Sequence, residues 1–359
     1  MTTFINGRFL TQTTSGVQRF AREIVIALDK RLSENPTTEE WALLTPEGVT
    51  ERLPLRAITQ RATGRSSGHV WEQTSLYQAA RSGKLVNLGN SGPVLHPRAV
   101  TVVHDAMIFR TPENFSRKYR WVHGVLGRLL ARRGKIATVS EFSKRELESA
   151  FNTKDVAVVS NSCEHMATVA KDETVLARLG LDREPYLLFV GSRTPNKNLR
   201  RAMDAIRMMG STAPKFVIAG AAASSVFQSY ETSEAGANSV SDRVVFTGRL
   251  SDEEIAGLYA GATALLFPSL YEGFGIPPLE AMLLGCPVLA SDIAPTREVC
   301  GDAAIFFDPL RPEDMVRAIN EVLHNPQQRA MMIERGHQRA QAFSWARSAG
   351  RLHDIVEQL

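Results

Sequence analysis

The chain has 359 residues, of which 43% are hydrophobic, 22% charged and 7% aromatic. This balance excludes a disordered chain and a collagen-like repeat, and the length predicts two domains. The net charge is +4, and residues 1–165 carry 23 Lys and Arg against 15 Asp and Glu, which indicates either a solvated basic surface or an anionic partner.

In the first half, short apolar runs alternate with segments of helical spacing. The predicted strands are Thr3–Ile5, Trp41–Leu44, Leu85–Leu88, Ala99–Val103, Ile136–Val139 and Val156–Val159. The predicted helices are Val17–Leu32, Phe115–Arg133 and Ser143–Phe151. The stretch Ile58–Gly68 is polar and rich in Gly and Ser, so we predict a loop there.

The second half shows the same alternation more clearly. The predicted strands are Tyr186–Val190, Lys215–Ala219, Val244–Thr247, Ala262–Pro268, Pro287–Ala290 and Ala303–Phe307. The predicted helices are Leu199–Met209, Asp252–Tyr259, Pro277–Leu284, Pro312–Leu323 and Gln327–Phe343. Buried strands that alternate with helices predict a parallel, doubly wound α/β sheet in each half.

We expect an N-terminal domain at 1–168, a C-terminal domain at 169–342, and a final helical segment at 343–359. Ligands of such sheets bind at the carboxyl ends of the strands. The residues that follow each strand are therefore the first candidates for a functional site.

Several site classes lack their signatures. The sequence contains neither G-x-G-x-x-G after a strand nor the P-loop pattern, and neither H-E-x-x-H nor D-x-D, so a dinucleotide, P-loop or metal site is not indicated. Gly64–Gly68 matches G-x-S-x-G but lacks the flanking strand and helix of a nucleophile elbow. Three dispersed cysteines, with neither a signal peptide nor a membrane span evident, lead us to expect a cytoplasmic protein.

The densest motif spans Phe267–Ala281. A predicted buried strand ends at Phe267, a turn with Gly273 and Gly275 follows, and two prolines begin a helix. Glycines allow close backbone approach, and the helix start offers free N–H groups to ligand oxygens. Glu272 and Glu280 bracket this turn. A single glutamate at a helix start commonly stabilises the helix by interacting with its dipole. Two glutamates on either side of a glycine turn indicate instead that they bind a ligand.

This segment, PSLYEGFGIPPLEA from Pro268, resembles the E-x7-E signature of the family-four retaining glycosyltransferases. The blocks FVGSRTPNKNL from Phe189, FTGRL from Phe246 and PVLAS from Pro287 match the same family in the same order. The resemblance covers most of residues 186–325 and is looser in the first half. It implies the GT-B fold, an α/β architecture of two Rossmann-like domains that face each other across a cleft. The resemblance further implies that the first domain is the acceptor side, that the second binds the nucleotide-sugar donor, and that the final helix at 343–359 crosses back to the first domain.

The resemblance also implies roles for residues of the second domain. Arg193 and Lys197 would bind the donor diphosphate, which needs cations at the leaving group. Glu280 would hold the ribose hydroxyls and Glu272 the donor sugar. The rest of the implied donor site consists of Gly273, Phe274, Gly275 and Ile276 in the turn, with Arg249 and Leu250 beside the nucleobase.

In the first domain, the resemblance implies that Gly16 approaches the donor phosphates and that His104 contacts the donor sugar. His104 follows the predicted strand Ala99–Val103, and Gly16 precedes the helix Val17–Leu32. The sequence departs from the family at Ser15, where a second glycine is usual, and at Ser162, where the family often has Asn-Gly. An ordinary N-cap at Ser15 accounts for the first position equally well.

Part of the basic charge of the first half lies on the predicted helix over Phe115–Lys135. Helical spacing puts Arg117, Arg120, Arg128, Arg132, Lys135 and Trp121 on one side, and Phe115, Tyr119, Val122, Leu126 and Leu129 on the other. A core helix with a solvated basic face explains this pattern. A second interpretation is peripheral contact with an anionic membrane surface on the inner face of the membrane. Nucleic acid is not indicated, because no binding motif accompanies the charge.

From the resemblance we expect a retaining, metal-independent glycosyltransferase that needs no cofactor besides its nucleotide-sugar donor. Similarity to bacterial mannosyltransferases of surface polysaccharide assembly favours GDP-mannose as donor, and a saccharide or polyprenyl-diphosphate-linked saccharide as acceptor. The alternatives are a UDP- or dTDP-sugar donor, a nucleotide-sugar epimerase of the same fold, and a non-catalytic nucleotide-sugar sensor.

Overall fold

The computed structural model describes residues 1–221 and 243–359. The described chain divides into two compact units. The first contains Met1–Arg110, Arg117–Asn161 and Ser344–Leu359, and the second contains Thr111–Ser116 and Ser162–Phe343. Within the described ranges, no helix is both long enough and apolar enough to span a bilayer.

The first unit is built on a parallel sheet that contains seven of the described strands, in the order β3-β2-β1-β4-β5-β6-β7. Their bounds are β1 Thr2–Asn6, β2 Glu40–Thr45, β3 Ile58–Ala62, β4 Lys84–Asn87, β5 Ala99–Val102, β6 Lys135–Thr138 and β7 Val156–Val158. The α-helices are Gly16–Glu34, Gly68–Trp71, Tyr77–Ala80, Met107–Arg110, Arg117–Arg133, Glu141–Phe151 and Trp345–Glu357. The strand order reverses between β1 and β4, which is the switch point where such sheets bind ligands.

The second unit is built on a parallel sheet of six described strands, in the order β10-β9-β8-β11-β12-β13. Their bounds are β8 Tyr186–Val190, β9 Lys215–Ala219, β10 Val244–Gly248, β11 Ala264–Phe267, β12 Val288–Ser291 and β13 Ala304–Phe307. The α-helices are Thr174–Arg178, Leu199–Met209, Asp252–Gly261, Ile276–Leu283, Ala294–Cys300, Pro312–His324 and Pro326–Ala340. Here the order reverses between β8 and β11.

The central strands are buried along their whole length. All four residues of β11 and of β12 are buried, because helices cover both faces of the sheet, and this explains their unbroken apolar sequence. One core of the second unit joins Leu187, Phe189 and Phe216 of the sheet to Ile206 and Ile319 of two helices. The prediction of two Rossmann-like α/β domains is confirmed.

The last helix, Trp345–Glu357, belongs to the first unit and packs against the helix Gly16–Glu34. The Trp345 ring lies edge-on to Phe20, with centroids 6.0 Å apart. The Ser348 hydroxyl donates a hydrogen bond to the Ser160 carbonyl over 2.7 Å. The first unit is therefore assembled from both ends of the chain.

The predicted loop over Ile58–Gly68 is confirmed for residues 63–67 and wrong at its two ends. Ile58–Ala62 forms the edge strand β3, and a helix begins at Gly68. The backbone N–H groups of Arg56, Ala57 and Ile58 donate to the Asp29 carboxylate, which anchors the start of this strand. Because four of its five residues are at least partly exposed, the strand lacks the apolar pattern by which strands are predicted.

The helix predicted over Phe115–Lys135 is shorter than expected, running from Arg117 to Arg133. It buries Gly124, Gly127 and Leu130, whose spacing of three defines a narrow stripe. A Cβ at Gly127 would stand 3.2 Å from the Phe151 ring, so the glycine permits close packing there. Val122 and Leu129, which were predicted on the apolar side of the helix, are 37% and 36% exposed, so that side is only partly buried. Lys135, expected on the basic side, begins β6 instead.

Candidate active site

Two loops meet at the switch point of the second sheet. One follows β8 and carries Arg193 and Lys197, and the other follows β11 and carries Glu272. Strands β8 and β11 are paired, so their carboxyl ends lie side by side. Residues that are far apart in the sequence are thereby brought together at the position where this class of sheet binds ligands.

Two buried asparagines join these loops. The Asn196 carbonyl accepts a 2.7 Å hydrogen bond from the Leu270 N–H, and the Asn196 amide donates to the Tyr271 carbonyl over 3.2 Å. The Asn198 amide donates to the Pro268 carbonyl over 3.0 Å and to the Pro309 carbonyl over 2.7 Å. Lys197 lies between the two asparagines, so its backbone is fixed relative to the loop after β11.

Replacing Asn198 by alanine is expected to lower the free energy of unfolding by about 2–4 kcal/mol. Two carbonyls lose their donor, and alanine must take the left-handed conformation of Asn198, φ 57°. Chemical denaturation measures the change. Asn198→Gly is the control, since glycine tolerates this φ and should recover roughly 1 kcal/mol of the loss. Equal stabilities of the two variants would contradict the backbone part of this explanation.

Lys197 and Glu272 form a partly buried ion pair. The Lys197 ammonium lies 2.6 Å from Oε1 of Glu272, and their side chains are 14% and 10% exposed. The same ammonium stands over the Phe267 ring, 5.3 Å from its centroid. A lysine placed this way presents a positive charge at the strand end, and the carboxylate holds it in position.

Arg193 is positioned by an aromatic ring of the neighbouring strand. Its guanidinium lies over Phe246 of β10, 5.3 Å from the ring centroid, and its backbone N–H donates to the Ala221 carbonyl. In the described part of the chain, the buried Nε of Arg193 has no hydrogen-bond partner. A guanidinium that is stacked on a ring and retains a free donor is suited to bind an oxyanion.

The glycine turn leads directly into the helix Ile276–Leu283. Gly275 has φ 98° and precedes the first helical residue, and a Cβ there would stand 3.4 Å from the Phe267 ring. Phe274 is buried and lies edge-on to Phe343, with centroids 5.5 Å apart. The turn is thus fixed by its ring contacts, and the first N–H groups of the helix remain available to a ligand.

Glu280 lies on this helix, and two side chains donate to its carboxylate. Nε2 of His165 is 3.0 Å from Oε1, and the Tyr259 hydroxyl is 3.0 Å from Oε2. Neither His165 nor Tyr259 was predicted from the sequence as a partner of Glu280. Tyr259 ends a predicted helix just before a predicted buried strand, and this position could have marked it as a candidate. His165 lies between Val159 and Tyr186, where no strand or helix was predicted, so nothing in the sequence pointed to it.

Arg249 and Leu250 follow β10 directly; Arg249 is exposed and Leu250 half-buried. The Gly248 carbonyl before them accepts a hydrogen bond from the Gly220 N–H over 2.8 Å, which joins the ends of β9 and β10. Gly273 and Ile276 are half-buried. The second unit therefore brings ten of the twelve predicted site residues to the carboxyl ends of β8, β10 and β11 or to the helix that follows β11.

His104 and Gly16 belong to the first unit. His104 follows β5 and is 6% exposed; its Nε2 is hydrogen-bonded to the Leu88 carbonyl over 2.9 Å. The ring lies edge-on to Phe20, with centroids 4.9 Å apart. Gly16 is exposed and is the first residue of its helix, after the N-cap Ser15. Their implied contacts with a donor stay predictions.

Burial lowers the pKa of His104 to about 4. Below pH ~6.5 the unfolded chain binds a proton at this histidine, whereas the folded chain binds it only near pH 4, so stability falls as the pH drops through this window. We expect His104 to contribute about 2 kcal/mol of the loss in unfolding free energy between pH 7.5 and 5. Urea denaturation of wild type and His104→Gln at both pH values measures it. Equal losses in the two proteins would contradict the assignment to His104.

One described group of three side chains is compact enough to hold a metal ion, namely His353, Asp354 and Glu357 on the last helix. Two of its three members are exposed acidic residues, and exposed acids often lie this close without an ion. The site at the ends of β8 and β11 is instead built from a lysine, an arginine and two glutamates.

The chain is similar to known glycosyltransferases over most of its length. The family described as glycosyl transferases group 1 matches residues 171–339. O-antigen chain mannosyltransferase B of Escherichia coli is 31% identical, over 69% of this chain and 67% of that protein. O-antigen chain mannosyltransferase RfbU of Salmonella typhimurium is 28% identical, over 74% of this chain and 73% of that protein.

The fold is shared with solved structures of low sequence identity. The crystal structure of Anabaena Alr3699/HepE in complex with UDP-glucose superposes with a TM-score of 0.76 at 16% identity. The match covers 100% of this chain and 99% of that one.

Proposed function

The chain belongs to the group 1 glycosyl transferases, and from this premise we propose that it transfers mannose from GDP-mannose to a hydroxyl of a saccharide acceptor. The acceptor would be a growing surface glycan, free or linked to a polyprenyl diphosphate. Two relatives that carry the name O-antigen chain mannosyltransferase support the choice of sugar and pathway. The observation that carries the proposal is the pairing of Lys197 with Glu272 at the switch point of the second sheet.

The donor diphosphate binds Lys197 and Arg193 in this proposal. Both cations follow β8, and the N–H groups at the start of the helix Ile276–Leu283 add further donors for phosphate oxygens. Glu280 accepts from the ribose hydroxyls, and Glu272 accepts from the hydroxyls of the sugar. The turn Gly273–Ile276 contacts the sugar and phosphates, and Arg249 with Leu250 flanks the base.

Transfer requires that the departing diphosphate be stabilised as its bond to the sugar breaks. Lys197 and Arg193 supply positive charge where negative charge develops, which is the largest single catalytic effect in many enzymes. Cys163 is not a nucleophile here, because burial raises the pKa of its thiol to about 12, with Glu280 nearby acting in the same direction. The acceptor hydroxyl then attacks the anomeric carbon on the face that the diphosphate leaves, its proton passes to an oxygen of the departing diphosphate, and the anomeric configuration is retained.

In this proposal the first domain binds the acceptor. It also contributes two residues that contact the donor, His104 and Gly16. His104 is neutral at physiological pH because its pKa lies near 4. Its Nε2 donates to the Leu88 carbonyl, so Nδ1 is the acceptor nitrogen and suits a sugar hydroxyl. Gly16 adds no side chain at the start of its helix, so a phosphate has room to approach.

Calorimetric titration with GDP, UDP, dTDP and ADP, with and without EDTA, tests the donor assignment. We expect GDP to bind in preference, unaffected by EDTA, and GDP-mannose to be consumed only when an acceptor is added. Preferential binding of UDP or dTDP would overturn GDP-mannose as donor. A new nucleotide sugar formed without acceptor would indicate an epimerase, and binding without any turnover would indicate a sensor.

Peripheral membrane contact through the helix Arg117–Arg133 is a further part of the proposal. Its exposed face carries apolar side chains, with Trp121 71% and Val125 39% exposed. Exposed arginines flank them on the same helix, namely Arg117, Arg120, Arg128, Arg132 and Arg133. An aromatic and aliphatic stripe with basic flanks is typical of helices that lie on anionic membrane surfaces.

We expect the triple variant Trp121→Ser, Arg128→Ser and Arg132→Ser to lose most of its binding to vesicles that contain anionic lipid. The loss follows from removing the exposed ring and two charges, each charge worth about 1 kcal/mol near such a surface. Vesicle co-sedimentation measures it, with Arg335→Ser and Arg347→Ser as the control for loss of charge. Undiminished binding of the triple variant would favour a helix with a merely solvated face.

A further inference from the structure

Glu280 is held at both carboxylate oxygens by side chains from two other elements. Nε2 of His165, in the 3-10 turn Glu164–Thr168, lies 3.0 Å from Oε1. The hydroxyl of Tyr259, in the last turns of the helix Asp252–Gly261, lies 3.0 Å from Oε2. Each carboxylate oxygen therefore accepts one hydrogen bond from the protein and retains one lone pair for a further donor.

The two donors are more deeply buried than the carboxylate that they hold. Tyr259 is 0% exposed, and the side chains of His165 and Glu280 are 5% and 13% exposed. Burial, reinforced by Glu280, raises the pKa of Tyr259 well above its ordinary value, so the hydroxyl keeps its proton and always donates. The carboxylate is thus fixed from its protein side, and its remaining lone pairs are directed away from these donors.

We infer that His165 and Tyr259 are positioning residues that hold Glu280 for a vicinal diol, so that the site selects ribonucleoside diphosphates over their 2′-deoxy counterparts. The inference rests on the proposed function, in which Glu280 binds the ribose. Two adjacent hydroxyls can each donate to one oxygen of a fixed carboxylate. A 2′-deoxyribose can donate to only one of the two carboxylate oxygens of Glu280. A carboxylate that is held at both oxygens cannot rotate to compensate.

Two substitutions test the positioning roles, each with a matched control. Tyr259→Phe removes only the hydroxyl that reaches Glu280. Tyr186→Phe is its control, because the Tyr186 hydroxyl is also buried in this unit but donates to the Leu258 carbonyl over 2.6 Å. His165→Leu removes the second donor, and His165→Gln restores an N–H close to the position of Nε2. Circular dichroism melting establishes that each variant is folded.

The measured quantity is the ratio of dissociation constants for 2′-deoxy-GDP and GDP, with 2′-deoxy-UDP and UDP in parallel. For wild type and Tyr186→Phe we expect a ratio of about 10 to 100, the scale of one lost hydrogen bond to a charged group. We expect the ratio to fall to about 3 or less in Tyr259→Phe and His165→Leu, and to recover in His165→Gln. A purely structural role would weaken both nucleotides equally and leave the ratio unchanged.

An unchanged ratio in folded Tyr259→Phe and His165→Leu would overturn this inference while leaving the proposed function intact. A wild-type ratio near 1 would also overturn it. If folded wild-type protein binds none of the four nucleotides, the proposed function fails and this inference fails with it. The two failures are therefore distinguished by the wild-type titration alone.

Discussion

Replacing Lys197 by alanine is expected to lower kcat at least about 100-fold, the scale of losing one preorganised contact to developing negative charge. Its ammonium is anchored 2.6 Å from the Glu272 carboxylate and over the Phe267 ring, so its charge is already in place before the donor arrives. Substrate-saturated turnover of the donor that wild type uses is the measurement. Because the contact strengthens as the diphosphate leaves, KM should change less than kcat.

Two further variants separate the role of Lys197 from general effects of the substitution. Lys197→Arg keeps the charge in a different shape and should lose less activity than Lys197→Ala. Lys215→Ala removes another lysine that is paired with a glutamate. Lys215 begins β9, and its ammonium lies 3.8 Å from the carboxylate of Glu184. We expect its kcat to equal that of wild type. Wild-type kcat in folded Lys197→Ala would remove the diphosphate assignment.

Replacing Glu280 by alanine is expected to weaken binding of the nucleoside diphosphate by about 10- to 100-fold, as two hydroxyls lose a charged acceptor. Turnover at saturating donor should change less, since the ribose lies away from the reacting bond. The substitution also leaves the buried donors of His165 and Tyr259 without their acceptor. A loss of stability of about 1–3 kcal/mol should accompany it.

Calorimetry and chemical denaturation separate these two effects. Glu280→Gln keeps the size of the side chain and one acceptor oxygen, so it should bind nucleotide more tightly than Glu280→Ala. Glu321→Ala, on the helix Pro312–His324, removes a partly exposed glutamate whose ion pair with Arg317 lies at the surface. It should leave nucleotide affinity unchanged. Unaltered affinity in folded Glu280→Ala would refute the ribose role.

The second domain was predictable from its sequence because its strands carry a strong signal. Tyr186–Val190 and Lys215–Ala219 were predicted to the residue, since each is a short apolar run bounded by loop residues and buried on both faces. These strands predicted a doubly wound sheet, and the motif at Phe267–Ala281 carried the resemblance to the family, which implied the GT-B fold. Both predictions are confirmed.

The elements that were not predicted from the sequence are an edge strand that is only partly buried and a helical segment that is irregular. Edge strand β3 pairs on one side only, and its Thr59, Gln60 and Arg61 are at least partly exposed, so no apolar pattern marks it. The helical segment from Gly68 to Ala80 contains a π-helical turn at Glu72–Leu76. Such a turn shifts the register of the buried face, and the spacing of 3.6 residues is lost.

Candidate site residues could be selected from the sequence, but the contacts among them could not be predicted. The Lys197–Glu272 pair joins residues whose loops meet only because the strand order reverses between β8 and β11. The roles of His165 and Tyr259 depend on side-chain positions 3.0 Å from Glu280. Neither follows from residue spacing, because both are set by tertiary packing.

The placement of the helix Trp345–Glu357 on the first unit has a consequence for biosynthesis. At about 5–20 residues per second, the ribosome needs on the order of ten seconds or more to synthesise the segment Ser162–Phe343 that separates this helix from the rest of its unit. During that interval the helix Gly16–Glu34 exposes the apolar surface that Trp345 and its neighbours later cover. The second unit, which is nearly continuous in the chain, can become compact before the first unit is complete.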